Sequence, residues 1–338
     1  MDMSTIAVPD VYLVTGDHGF IGSHFLRALL QRKPDALVVG LDALYEAAQS
    51  ETLKHPNYVF VHGKTQDERL VRALLQEHGI RYVIHFAAQS HVDTSFTTPL
   101  QYTEDNVQGT HVLLECCRQY GQIERFLHVS TDEVFGECKE NEQQAKTETS
   151  LLLPTNPYAA SKAAAEMYCQ AYRHSFNMPI IITRSNNVYG PGQYEEKLIP
   201  RFFALLRRGQ RCTIHGDGSQ RRSFLYIDDL LNALHIVFER GAVGECYNIA
   251  STEEYSVLEV ARKLIPLVRG HRTSTEQVAW LRFVPDRCFN DRRYWVCDQK
   301  LRRLGWSPSI GFDEGLRRIY ASLQLADTSE RGGMGDTD

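Results

Sequence analysis

Tyr158 and Lys162 stand four residues apart in Pro157–Phe176, a stretch whose pattern predicts a long helix. That spacing puts both side chains on one helix face. An ammonium beside a phenol favours the phenolate and lowers its pKa from the usual value of about 10. The pair therefore reads as a base for a substrate hydroxyl. Pro157 suits the first turn of such a helix. The spacing alone is common, and its plainer meaning is a core tyrosine with a surface lysine. A second cluster, His128-Val-Ser130-Thr131-Asp132-Glu133-Val-Phe-Gly136, follows a predicted strand. Thr131 offers a hydroxyl to a reacting oxygen, and Asp132 and Glu133 give one site an acid and a base. Its plainer meaning is a strand-end turn with two solvated acids.

The glycines decide between these meanings. Val11–Thr15 reads as a strand, and Gly16-Asp17-His18-Gly19-Phe20-Ile21-Gly22 leads from it into a predicted helix over Phe20–Arg32. Glycine permits the tight turn and lets a pyrophosphate approach the amides at a helix N-terminus. The next strand, Ala36–Asp42, ends in an acid twenty residues after Gly22. A carboxylate there accepts ribose hydroxyls and repels a 2′-phosphate, and no Arg or Lys follows closely. The pattern predicts NAD rather than NADP. Ala87 and Ala88, after a later strand, let the cofactor pass close to the backbone.

The elements around these residues alternate. Strands are predicted at Tyr58–His62, Tyr82–Ala87, Arg125–Ser130 and Pro179–Thr183, and helices at Glu68–His78, Tyr102–Tyr120 and Pro157–Phe176. Short apolar strands between helices imply βαβ units and a parallel sheet covered on both faces. The expected class is α/β: a Rossmann-type doubly wound parallel sheet with a smaller C-terminal α/β substrate domain. The first domain is expected over 1–186, with return strands at Phe224–Tyr226 and Tyr247–Ile249 inside 223–250. The second takes 187–222 and 251–325, and 326–338 reads as a disordered tail.

Composition agrees. The 338 residues are 43% hydrophobic and 23% charged, long enough for a large core without metal or disulfide staples. Acids outnumber bases 42 to 37, which argues against a nucleic-acid binder. No apolar run reaches the ~18 residues of a membrane span, and Met1–Asp10 has no signal-peptide pattern. The eight cysteines include no C-x-x-C pair, so no zinc is expected and free thiols in a reducing cytoplasm are.

From Val11 to about Tyr320 the chain resembles the nucleotide-hexose 4,6-dehydratases of the extended short-chain dehydrogenase/reductase superfamily. The matching stretches are F-A-A-Q-S-H-V-D, S-T-D-E-V-F-G, P-T-N-P-Y-A-A-S-K-A-A-A-E, N-N-V-Y-G-P, E-K-L-I-P, I-H-G-D-G-S, R-S-F-L-Y and D-R-x-F-N-D-R-R-Y. The T-D-E triplet is decisive, because related epimerases and decarboxylases share the glycines and the Tyr–Lys pair without both acids. The resemblance implies a reaction in three steps. Tyr158 takes the sugar O4 proton while C4 gives hydride to NAD. Glu133 removes the C5 proton and Asp132 protonates the leaving C6 hydroxyl. The hydride then returns to C6. The resemblance also sets His91, Ser130, Asn187, Lys197, Leu198, Arg222 and Arg287 against the sugar nucleotide, with Tyr294 and Asn248 as weaker matches. It implies a homodimer built on Tyr102–Tyr120 and Pro157–Phe176.

The stretch Pro285-Asp286-Arg287-Cys-Phe289-Asn290-Asp291-Arg-Arg-Tyr294 resembles the plant-type UDP-glucose enzymes, so UDP-glucose is expected over dTDP-glucose. A UDP-sugar 4-epimerase, a UDP-glucuronate decarboxylase and a silent NAD-binding regulator are the alternatives. Two stretches depart from the family. Asp17-His18 replaces small residues of the glycine loop, and Lys64 replaces an acid that touches adenine. Asp17 opposes a pyrophosphate unless its side chain points away.

Overall fold

The structure, a computed structural model, describes residues 10–49, 51–138, 142–270, 273–286 and 291–332, with side chains to 328. In chain order the elements begin β1 (Val11–Thr15), α1 (Phe20–Arg32), β2 (Leu37–Asp42), β3 (Tyr58–His62), α2 (Glu68–His78) and β4 (Tyr82–His85). Next come α3 (Val92–Thr97), α4 (Pro99–Tyr102), α5 (Gly109–Tyr120), β5 (Arg125–Thr131), α6 (Pro157–Phe176) and β6 (Ile180–Ser185). Then follow β7 (Asn187–Tyr189), α7 (Leu198–Arg207), β8 (Cys212–His215), β9 (Arg221–Tyr226), α8 (Ile227–Arg240) and β10 (Cys246–Ile249). The chain closes with β11 (Glu254–Ser256), α9 (Val257–Arg269), α10 (Ser274–Val278), β12 (Leu281–Val284), α11 (Gln299–Arg302) and α12 (Phe312–Gly332).

The chain forms two compact units. The first comprises Met1–Gly136, Glu148–Arg184 and Leu234–Asn248. Its seven-stranded sheet has the order β10-β6-β5-β4-β1-β2-β3. The pairs β1–β2, β2–β3, β1–β4 and β4–β5 are parallel. This is the expected Rossmann-type sheet. Every residue of β1 is buried, as a strand covered on both faces requires. Leu13, Val39, Leu75, Val83, Leu113 and Phe126 share its main apolar cluster. Helix ends follow local chemistry: Asp67 caps α2 by accepting the Leu70 amide, and Gly79 ends it in the left-handed conformation at φ 65°.

Between α4 and α5 the chain makes a π-helical turn, Thr103–Gln108, where an unbroken α-helix was expected. The periodicity of a π turn is too close to that of an α-helix to be read from one sequence. Asn106 within it ties three segments together. It donates to Gln89 O at 2.9 Å and Ser161 Oγ at 2.8 Å, and it accepts the Gln89 amide at 2.7 Å.

The second unit comprises Glu137–Thr147, Ser185–Ala233 and Ile249–Asp338. It has a three-stranded sheet, β11-β9-β7, and a two-stranded one, β12-β8. Strand β10 joins the first sheet as expected. Strand β9 does not: it pairs antiparallel with β11 and parallel with β7. Both strands are short and mix apolar with polar residues, and nothing local distinguishes the sheet each joins. Helix α12 runs through 326–332, part of the stretch expected as a tail, and 333–338 lie outside the described residues.

Candidate active site

Gly16 turns the chain out of β1 at φ +72°. A Cβ there would sit 2.6 Å from Ala87 N, and one at Gly22 would sit 2.0 Å from Gly16 O. The turn is therefore packed backbone to backbone against the end of β4, where Ala87 N donates to Thr15 Oγ1 at 3.3 Å. Helix α1 starts at Phe20 and Ile21 with Gly19 as its N-cap and no side chain capping it. Its first amides remain available to an anion. Asp42 stands at the end of β2, where Oδ2 accepts the His18 amide at 3.0 Å and Oδ1 accepts the Leu44 amide at 2.8 Å. An uncapped helix start beside a bare glycine turn, with a fixed carboxylate one strand away, fits NAD.

Asp17 points away from this turn. It is 1% exposed, and its Oδ2 accepts the Tyr58 hydroxyl beneath the loop. Gly40, inside β2, makes room for it: a Cβ there would lie 2.0 Å from Asp17 Oδ2. Burial raises the Asp17 carboxyl above the usual aspartate range. His18 packs on the Phe60 ring at 4.2 Å and bonds Thr52 Oγ1 at 3.0 Å. Lys64 is exposed, its ammonium 5.5 Å from the Tyr45 ring centre.

The chemical residues lie where β5 ends and α6 begins. Thr131 caps a short 3-10 turn, Asp132–Phe135, by accepting the Glu133 amide, and its hydroxyl bonds Asp132 Oδ1 at 3.3 Å. Gly136 ends the turn at φ +73°, where a Cβ would strike Leu153 O at 2.1 Å. Asp132 is buried and Glu133 half-buried. Asn156 caps α6 and donates to Glu133 Oε2 at 3.2 Å. Thr131, Glu133 and Asp132 all act on the proton affinity of Tyr158, so the phenol and both acids share one site.

The electrostatics differ from the expectation of an activated phenolate. Burial, then the negative field of Glu133, raises the Tyr158 pKa well above its usual value; the Thr131 hydrogen bond opposes this. Lys162 does not offset it. Its ammonium donates to Val129 O at 2.8 Å, and burial pushes its pKa down to about 8. The i, i+4 spacing puts both side chains on one face but does not set where a long lysine ends. Behind them, Glu166 and Arg184 form a buried ion pair at 2.6 Å, and the Arg184 guanidinium lies over the Phe135 ring at 4.8 Å. Neither that pair nor Asn106 and Asn156 was singled out from the sequence. The Asn-Pro step before Tyr158 was the one available signal, as an N-cap.

The remaining residues are dispersed. Ser130 is 5% exposed with no partner for its hydroxyl among the described residues. Ala88 follows Ala87, and His91 caps α3 by accepting the Thr94 amide at 3.3 Å. Asn248 is fully buried in β10, its amide donating to Glu148 Oε1 at 3.0 Å. In the second unit, Asn187 opens β7, Lys197 is the N-cap of α7 and Leu198 its first residue. Arg222 lies 4.9 Å over the ring of buried Tyr294, whose hydroxyl bonds Asp291. Arg287 lies outside the described residues.

The sequence profile of the GDP-mannose 4,6 dehydratases matches residues 13–319. The chain belongs to that family. It is 47% identical over 314 residues to a trifunctional UDP-glucose 4,6-dehydratase/UDP-4-keto-6-deoxy-D-glucose 3,5-epimerase/UDP-4-keto-L-rhamnose-reductase of Arabidopsis thaliana. That match covers 92% of this chain and 46% of the plant protein, so the chain spans about half the length of that relative. It is 43% identical over 310 residues to the dTDP-D-glucose 4,6-dehydratase of Mus musculus, covering 90% of this chain and 86% of the mouse protein. A dTDP-glucose 4,6-dehydratase from Streptomyces venezuelae, solved with NAD bound, superposes with a TM-score of 0.87 at 36% identity. That superposition covers 94% of this chain and 98% of the other.

Proposed function

We propose that this dehydratase-family chain removes water from UDP-glucose, giving UDP-4-keto-6-deoxyglucose on the way to rhamnose or another deoxysugar. One observation carries the reading: two carboxylates, Asp132 and Glu133, act on the same phenol, Tyr158, at the end of β5. A hydride transfer alone needs no such pair, whereas elimination needs a base at C5 and an acid at the leaving hydroxyl.

Gly16, Gly19, Gly22 and the start of α1 hold the pyrophosphate, and Asp42 holds the adenosine ribose. An NAD held by these residues would supply the hydride acceptor for oxidation at C4 and the hydride donor for reduction at C6. Tyr158 takes the O4 proton in its phenolate form, which burial and the two acids oppose and which the positive charge of a bound nicotinamide ring would favour. Glu133 takes the proton at C5, which the 4-ketone makes acidic, and Asp132 gives a proton to the departing C6 hydroxyl. One water leaves; as hydride is added at C6, Glu133 gives its proton back to C5, and the sugar ends with a 4-ketone and a 6-methyl group. Lys162, at about 8, supplies or releases a proton near neutral pH. Asn187, Lys197, Leu198, Arg222, Arg287 and Tyr294, with His91, Ser130 and Asn248, are the residues we assign to the sugar nucleotide.

We further propose a cytoplasmic homodimer formed through α5 and α6. Support comes from the exposed Met167 and Phe176 on α6 and from the absence, among the described residues, of a helix long and apolar enough to cross a membrane. The test is incubation with UDP-glucose and dTDP-glucose separately, followed by mass measurement. Loss of one water's mass is expected from both, with the higher specificity constant for UDP-glucose. Epimerised or decarboxylated product, or unchanged sugar, refutes the dehydratase reading. A preference for dTDP-glucose of about tenfold, about 1.4 kcal/mol, refutes the base assignment alone.

A further inference from the structure

Asn156 makes two hydrogen bonds of different purpose. Its Oδ1 accepts the Ala159 amide at 2.8 Å, which caps α6. Its Nδ2 donates to Glu133 Oε2 at 3.2 Å. The residue is 5% exposed. Its backbone is extended, at φ −137° and ψ 162°, as both the N-cap position and the following Pro157 require. The amide orientation is unambiguous: turned over, it would set N–H against N–H and oxygen against a carboxylate.

Capping does not call for asparagine. Serine and aspartate cap about as well. Asparagine carries its donor on a second atom, Nδ2, beyond the capping oxygen, where Glu133 Oε2 lies and where a shorter serine hydroxyl would not reach. A donor to a carboxylate favours its ionised form, which is the form that takes a proton. We propose that Asn156 is a positioning residue for Glu133. It clamps the carboxylate, ionised and aimed, to the first turn of the helix that carries Tyr158. The inference rests on the reading of Glu133 as the C5 base.

The test uses the full chain with NAD and UDP-glucose. It compares Asn156→Ser, Asn156→Asp and Glu133→Gln by single-turnover sugar oxidation, by water loss, and by the pH profile of water loss. Asn156→Ser keeps the cap, so its melting temperature and oxidation rate should stay close to wild type. Water loss should slow by about tenfold, the scale of one hydrogen bond to a charged group. Its acid limb should move to higher pH, because Glu133 loses the donor that keeps it ionised. Asn156→Asp should move that limb further, by placing a like charge beside Glu133. Wild-type water loss and pH profile in Asn156→Ser, alongside slow water loss in Glu133→Gln, would overturn the proposal alone. Undiminished water loss in Glu133→Gln would overturn the base assignment and the proposal with it. Oxidation and water loss falling together, in step with melting temperature, would reduce Asn156 to a cap.

Discussion

Gly40→Ala should destabilise the protein, although the same change in an uncrowded strand would stabilise it by up to about 1 kcal/mol. Gly40 lies inside β2 and is buried. An added Cβ would fall 2.0 Å from Asp17 Oδ2, 2.5 Å from its Cγ and 2.9 Å from Tyr58 Cε2. The carboxylate cannot simply swing aside, because the Tyr58 hydroxyl holds it and the pocket is closed. Overpacking of this kind costs about 1–3 kcal/mol. At about 2–4 °C per kcal/mol for a unit of this size, the melting temperature should drop by about 2–12 °C. Asp17→Ala alone should also destabilise, by leaving the buried Tyr58 hydroxyl unpaired at about 1–3 kcal/mol. In the double variant the new methyl occupies space the carboxylate vacated. The double variant should therefore be more stable than the sum of the singles by at least about 1 kcal/mol, a coupling expected only of residues in contact. Thermal unfolding of the four proteins at one pH and one NAD concentration measures this, since bound ligand shifts every midpoint. Additive losses, or a Gly40→Ala protein as stable as wild type, would refute the packing argument. His18, next to Asp17, donates its amide to Asp42, so Gly40→Ala should weaken NAD binding as well.

Lys162→Met should abolish turnover yet raise the melting temperature at pH 7. The lysine titrates at about 8 when folded and near 10.4 when unfolded, so the fold carries a disfavoured ammonium below pH 8 and is relieved as pH rises through that window. The gain should fade between pH 8 and about 10, and a constant difference across that range would contradict it. Asp42→Ala should lower the NAD-to-NADP affinity ratio by about tenfold or more, the scale of a lost charge-assisted bond; paired titrations read it, and an unchanged ratio removes Asp42 from the ribose. Glu166→Ala should destabilise by about 3–5 kcal/mol, because it strands the buried Arg184 guanidinium, while a change below about 1 kcal/mol in denaturant unfolding would show that water reaches that pair.

Short-range features were legible without coordinates. The bounds of α1, α2 and α6 follow from apolar spacing and from end residues, as Asp67 and Gly79 show for α2. The glycine turn is legible because positive φ and close backbone approach at Gly16 are demands that only glycine meets. Tyr158, Lys162, Thr131, Asp132 and Glu133 are legible as types and spacings. Side-chain direction at the site is different in kind, because it depends on residues far away along the chain. Asp17 turns inward only because Tyr58 offers a hydroxyl and Gly40 offers space. Lys162 ends on Val129 O because β5 passes beneath α6. The Tyr158 pKa rises, contrary to the local Tyr–Lys argument, because burial and two carboxylates from another element outweigh an ammonium bound elsewhere. Phe224–Tyr226 and Tyr247–Ile249 both read as return strands, yet β9 and β10 join different sheets. Local sequence determined which segments form strands and helices and which residues carry chemistry. The partners of those strands, the directions of those side chains and their proton affinities were set by long-range packing and burial, which no window of neighbouring residues contains.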